Sequence, residues 1–198
     1  MATKAEKTRE FIIEKSAPLF NKKGFAGTSL NDVIDATGLT KGAVYGNFSN
    51  KDEIALAVYD YNVSRVLNAL RDRIRSKEHA VEKLYAITGF YRSDYRHIVT
   101  NGGCPILNTA TDADDNHPLL KQRAINSLKE CRKNIELIIK HGIEKGEIKE
   151  NVNAAEYAIL FIALIEGGIM MANVANDRSQ LLVCLSHIEK TIKKKLAA

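Results

Sequence analysis

The chain has 198 residues, of which 45% are hydrophobic and 27% charged, with a net charge of +5 and a pI near 9.0. This is the profile of a soluble globular protein of one or two domains, and the positive balance permits an anionic partner without requiring one. Three widely spaced cysteines, Cys104, Cys131 and Cys184, odd in number, imply no secreted disulfide framework. Without a CxxC or Cys/His cluster they give no zinc site either. A reducing cytoplasm is the simplest location, and the N-terminal MATKAEKTRE lacks the apolar region of a signal peptide. Only three prolines occur and strand-like alternation is scarce, so the expected fold is all-α.

The first predicted helix runs from Lys4 to Lys23, with Ile12, Ile13, Ser16, Leu19 and Phe20 inward. Pro18 lies inside it and should perturb it by removing one backbone donor. From Thr28 to Lys51 the chain then reads as two short helices joined by a tight turn, the layout of a helix-turn-helix DNA reader. Thr28 and Ser29 are both N-cap residues by type, and Asp32 complements the helix dipole. Leu30, Val33 and Ile34 recur at helical spacing, Gly38 supplies the stop, and Leu39 plugs the turn. Thr40 caps the second helix, and Val44 and Phe48, four apart, return to the core. Thr40, Lys41, Gly42, Ala43, Tyr45 and Asn47 are left on the open side, where small residues allow close approach to base edges. Lys41 can reach a guanine or a phosphate, Tyr45 a phosphate or a thymine methyl, and Asn47 a phosphate. Ser49 is a cap for a further helix, and Lys51 at that N-terminus suits a phosphate. The candidate DNA-facing set is therefore Thr28, Ser29, Thr40, Lys41, Gly42, Ala43, Tyr45, Asn47 and Lys51. The first 51 residues hold eight Lys or Arg against five Asp or Glu, a mild bias that fits a DNA head.

These residues resemble the DNA-binding motif of TetR-family transcriptional regulators. The matching positions are Thr28-Ser29, Ile34, Gly38-Leu39-Thr40-Lys41-Gly42, Val44-Tyr45, Phe48 and Lys51-Asp52-Glu53; upstream, Phe20 and Gly24-Phe25 resemble the end of the family's first helix. The sequence departs at Gly46, where family members often carry an aromatic residue or histidine, and at Asn47, where histidine is common. The resemblance implies a three-helix DNA-binding domain over residues 1–49, followed over 50–198 by a helical domain for effector binding and dimerisation.

In chain order, a long helix begins near Asn50 and continues through Ile54, Val58, Tyr61, Leu67, Leu70 and Ile74. The next spans Ala80 to Arg96, and Asn101-Gly102-Gly103-Cys104-Pro105 breaks it. A short helix over Pro105–Thr111 gives way to an acidic loop, Asp112–Asn116. Pro118 then opens a long helix whose Ala124, Leu128, Cys131, Ile135, Ile138 and Gly142 form an amphipathic stripe ending at Gly146. The last two helices run from Ala154 to Ala175 and from Arg178 to Lys195. The former is long and apolar enough to tempt a membrane assignment, but Glu156, Glu166, Asn173 and a Gly pair favour a buried helix covered on more than one side. The two can either complete a monomer core or supply halves of a four-helix dimer interface. The family resemblance points to the homodimer.

A sensing site needs a largely apolar cavity with a few polar groups. Tyr85, Phe90, Tyr91, Cys104, Leu107, Asn108, Phe161, Ile165, Glu166 and Met170 are its candidates, although for any one of the aromatics core packing is the simpler reading. Cys104 precedes a short helix whose N-terminus could stabilise a thiolate. The order Gly103–Asn108 also resembles a segment of one branch of TetR-like regulators, some of which respond to electrophiles. Cys131 and Cys184 read as structural. The five histidines lack metal spacing, and no catalytic constellation, metal site or cofactor motif is legible. The expectation is a non-enzymatic, cytoplasmic, homodimeric repressor that binds a double-stranded operator and releases it on binding a small molecule. Two alternatives stay open: switching by covalent modification of Cys104, and a helical binding module that never meets DNA.

Overall fold

The computed structural model describes residues 3–114 and 117–198, and the described residues are helical with no strands. They form α1 (Lys4–Lys23), α2 (Leu30–Thr37), α3 (Lys41–Tyr45), α4 (Lys51–Arg75), α5 (Ala80–Thr100), α6 (Pro105–Asp112), α7 (Pro118–Glu144), α8 (Ala154–Ala175) and α9 (Ser179–Thr191), closed by a π-helical turn over Ile192–Leu196. The chain divides into two compact units that interleave in sequence. Unit 1 is Met1–Val66 with Pro105–Ile125; unit 2 is Leu67–Cys104 with Asn126–Ala198. The helices α4 and α7 pass from one unit to the other. Of the acidic stretch Asp112–Asn116, Asp112 closes α6, and Asp115 and Asn116 lie outside the described residues.

Local chemistry accounts for the elements of unit 1. A reciprocal pair starts α1, with Thr3 N–H donating to Glu6 (2.7 Å) and Glu6 N–H donating to Thr3 Oγ1 (3.2 Å). Pro18 does not end this helix, which continues to Lys23 with the proline ring exposed. The same device starts α2, where Ser29 and Asp32 exchange bonds of 2.7 and 3.1 Å. Lys23 adds a 2.6 Å ion pair to Asp32 and, ahead of the Ser29 bonds, holds that carboxyl well below the usual range. The turn into α3 needs a left-handed residue, and Gly38 takes φ +66° with its N–H on the Ile34 carbonyl. At α4 the cap is Asn50 rather than the expected Ser49: Glu53 N–H donates to Asn50 Oδ1 (2.8 Å) while Ser49 N–H donates to Glu53 Oε2 (2.8 Å). The core of unit 1 gathers Ile12, Phe20, Val33, Val44, Phe48, Ile54 and Val58.

In unit 2, α8 packs along α9 and both meet α5. The core is built from Leu84, Ile87, Phe90, Phe161, Ile165, Ile169, Leu181, Leu185 and Ile188. Tyr95 donates to the Ala172 carbonyl (3.3 Å), and Arg92 forms an ion pair with Glu189 (2.9 Å). The sequence predicts regular helix to Lys195. Instead the last turn loosens to π geometry, with Ala197 N–H donating to Ile192 and Leu196 accepting from Lys149 N–H. By length and composition α8 could cross a membrane. In the fold it buries one face and leaves Ile159, Leu160, Met170, Met171 and Val174 exposed, so a single copy of this chain covers only one side of it.

Candidate nucleic-acid interface and effector cluster

The outward face of α3 is produced by its anchors. Val44 and Phe48 are 1% and 2% exposed, which turns Lys41, Gly42 and Tyr45 outward; Tyr45 keeps 42% of its surface. Ala43 is half-buried, and its N–H donates to Thr40 Oγ1 (3.2 Å), so the exposed Thr40 hydroxyl can still donate outward. The Lys41 ammonium lies 5.8 Å from the Tyr45 ring centroid, which places a cation and a phenol side by side. Ser29 is also exposed, although its hydroxyl bonds Asp32.

Three other members of the predicted set have inward partners. Asn47 is half-buried and its amide donates to the Ala43 carbonyl (2.9 Å). Thr28 is 1% exposed and donates to the Gly24 carbonyl (2.7 Å), so its side chain cannot reach a duplex in this conformation. Lys51 spends its ammonium on the carbonyls of Phe25 (2.9 Å) and Thr28 (3.1 Å), over the Phe25 ring at 4.0 Å. Thr28 and Lys51 thus shape the loop that carries α2.

Sequence reasoning missed two residues that aim this surface. Arg9 donates to the Asn47 carbonyl (2.6 Å), pairs with Glu53 (2.9 Å) and stacks on Phe48 at 3.9 Å, tying α1 to both ends of the α3–α4 junction. Its signal was available, since Arg9 lies one turn before Ile12 and Ile13 on the inner face of α1. Asp112 accepts from Phe25 N–H (2.6 Å), an attachment 87 residues away in sequence that no local pattern announces. Asn108, expected at the effector site, instead donates to the Asn21 carbonyl (3.0 Å) in unit 1. There it lines a small cleft with Phe20, Phe25, Tyr59, Asn62 and Asp112. Leu107 belongs to the same unit.

The effector candidates of unit 2 separate into a cluster and its surroundings. Cys104, 8% exposed, donates its S–H to Glu166 Oε1 at 3.2 Å. Burial pushes the Glu166 carboxyl above its ordinary value, and the thiol bond pulls it partly back. Burial, followed by the influence of Glu166, Cys104 and Cys131, drives the Tyr91 hydroxyl well above its normal range. The Cys131 thiol is pushed up to about 11 by burial and then by Glu166 and Glu130, so this residue, read from sequence as structural, joins the group. Phe90 is buried edge-to-face against Tyr91 with ring centroids 5.1 Å apart, and Phe161 and Ile165 are buried. Tyr85 is half-buried and donates to the Glu189 carbonyl (3.4 Å), while Met170 is half exposed and outside the cluster.

Comparison with known proteins finds relatives for both the N-terminal and the C-terminal parts of the chain. Residues 12–58 match the family of bacterial regulatory proteins, tetR family, and residues 80–188 match the tetracyclin repressor-like, C-terminal domain. The HTH-type transcriptional regulator TtgR of Pseudomonas putida is 26% identical over 185 residues, covering 90% of this chain and 86% of its own. An uncharacterized HTH-type transcriptional regulator encoded in the lacX 3' region of Lactococcus lactis is 32% identical over 180 residues, covering 88% and 87%. Among solved structures, a TetR-family transcriptional regulator from Cytophaga hutchinsonii superposes with a TM-score of 0.93 at 36% identity, over 100% of this chain and 99% of that one.

Proposed function

The chain belongs to the TetR family of bacterial transcriptional regulators, DNA-binding proteins rather than enzymes, and from that premise we propose that it is a homodimeric repressor released from its operator by a small molecule. The observation that carries the DNA reading is the exposure of Lys41 and Tyr45 on a helix fixed from behind by Val44 and Phe48. In this reading residues 1–49 form the reading domain, and Ser29, Thr40, Lys41, Gly42, Ala43 and Tyr45 face the duplex. Thr28, Asn47 and Lys51 set the shape of that face. Residues 50–198 form the effector and dimer domain.

The exposed apolar residues of α8, together with Val183 of α9, support dimerisation through the last two helices. Paired heads then read paired half-sites, and the dimer fixes their spacing. An effector in unit 2 acts by preferring the form of the dimer that does not fit the operator. Reversible binding is favoured over covalent switching because Cys104 is buried and donates to a carboxyl group, a neighbour that disfavours the reactive thiolate. A cytoplasmic location follows from this role. Selection of bound fragments from random duplex DNA tests the proposal: a palindromic consensus is expected, and recovery of no preferred sequence at low salt would refute it.

A further inference from the structure

Glu166 presents an unusual combination of burial and incomplete bonding. One carboxyl oxygen receives the Cys104 S–H, which is a weak donor. The other, Oε2, is buried and has no hydrogen-bond partner among the described residues. An acid left in that state carries a desolvation penalty that a suitable donor would relieve. Tyr91, Cys131 and Glu166 are deep enough for burial to dominate their ionisation, yet all three keep accessible surface.

Burial and the Cys104 thiol act on Glu166, and the groups acting on Tyr91 and Cys131 are acids and thiols, with no lysine or arginine among them. Among the cations of unit 2, Arg92 pairs with Glu189, Arg73 with Asp94, and Arg178 donates to the Arg92 carbonyl. Tyr91, whose hydroxyl feels the Glu166 charge, packs edge-to-face against Phe90, and aromatic rings of this kind can face a cation.

We infer that this cluster is the receptor for a lipophilic amine, whose ammonium nitrogen donates to Glu166 Oε2 while its apolar body lies against the aromatic wall. The inference rests on the reading that unit 2 holds the effector, and it names the ligand's chemical class. A charge-assisted bond to the carboxylate is stronger than one from a neutral hydroxyl. An anionic ligand would meet a like charge.

The test is calorimetric titration of the full-length protein at neutral pH with 4-phenylbutylamine, 4-phenylbutanol and 4-phenylbutanoate. Wild type is compared with Glu166→Gln, which keeps the shape and removes the charge. The amine is expected to bind wild type at least ten-fold more tightly than the alcohol, with the carboxylate weakest, and to lose that advantage in Glu166→Gln. Equal binding of amine and alcohol to wild type, an unchanged amine affinity in the variant, or no amine binding at millimolar concentration would each overturn the inference. The wild-type ranking decides even if the variant folds poorly. Operator release is measured in parallel. Glu166-dependent amine binding without release keeps this site and removes the effector reading, whereas release by the alcohol independent of Glu166 does the reverse.

Discussion

The two units treat charge differently. In unit 1, Arg9 divides its guanidinium between the Asn47 carbonyl and the Glu53 carboxylate, Lys51 spans two loop carbonyls, and Asp112 takes the Phe25 amide. Among the described residues, the buried side-chain atoms there without a hydrogen-bond partner are the Ser16 hydroxyl and a His117 ring nitrogen 3.8 Å from Asp52, which are less expensive to strand than a carboxylate. In unit 2, an acid lies at the centre of the cluster with one oxygen unsatisfied. A surface that must meet a duplex in one fixed geometry gains from polar groups that are already committed. A site that must respond to a ligand gains from one that is not.

The strongest way to break this contrast is to disturb the commitment in unit 1. Gly24 adopts φ +71° and ψ 179°, a conformation almost closed to other residues, and a Cβ there would lie 2.5 Å from an Asp112 carboxylate oxygen. Gly24→Ala should therefore lose about 3 kcal/mol of stability, combining backbone strain with overpacking. The shift in the urea midpoint measures this. Because the acid is part of the clash, the loss should be partly recovered in Gly24→Ala with Asp112→Ala. An unchanged midpoint in the single variant would show that the loop is not held as described.

Two lysines ten residues apart sharpen the same contrast. Lys51→Met strands the Phe25 and Thr28 carbonyls and should destabilise the fold by about 2 kcal/mol. At temperatures where the variant is folded, the salt dependence of duplex binding should be unaltered. Lys41→Ala should behave in the opposite way. Stability is expected to hold, and the slope of log affinity against log salt should fall by about 0.9 if one phosphate contact is removed. Were Lys51→Met to flatten the salt slope while keeping full stability, the inward role assigned to that ammonium would be wrong.

What the sequence made legible follows the range of the interactions involved. Ser29, Thr40 and Gly38 act on residues three or four positions away, and all three hold the places their chemistry predicts. Val44 and Phe48 were readable as anchors because helical spacing puts them on one side. Direction was harder: Thr28 and Lys51 have side chains suited to phosphate, and only the fold shows that carbonyls within reach claim them first. The pairing of Asp112 with Phe25 and of Cys104 with Glu166 spans 87 and 62 residues, and the π turn depends on Lys149 reaching Leu196. No local pattern encodes such meetings. The effector candidates are accordingly dispersed in the fold, with Asn108 drawn to Asn21 and Met170 half exposed.

The smallest expected effect concerns the unit 2 acid itself and is read from the pH dependence of stability. Burial raises the Glu166 carboxyl above its ordinary value near 4.5, against a smaller lowering by the Cys104 thiol. The folded protein therefore retains this proton to higher pH than the unfolded chain does. Between the ordinary carboxylate value and the raised one the native state binds more protons, so this group makes stability fall as pH rises. The partners that face it, Tyr91, Cys104 and Cys131, are a phenol and two thiols; of these, Tyr91 and Cys131 are themselves pushed upward, Cys131 to about 11. The carboxyls held low elsewhere, Asp32, Glu53 and Asp177 among them, act in the opposite sense but are common to wild type and Glu166→Gln. They cancel when one stability curve is subtracted from the other. The difference should show wild type losing ground to the variant as pH climbs from about 4.5 toward neutrality. A flat difference would mean that Glu166 is already satisfied in solution, and the contrast between a committed head and a receptive cluster would lose its second term.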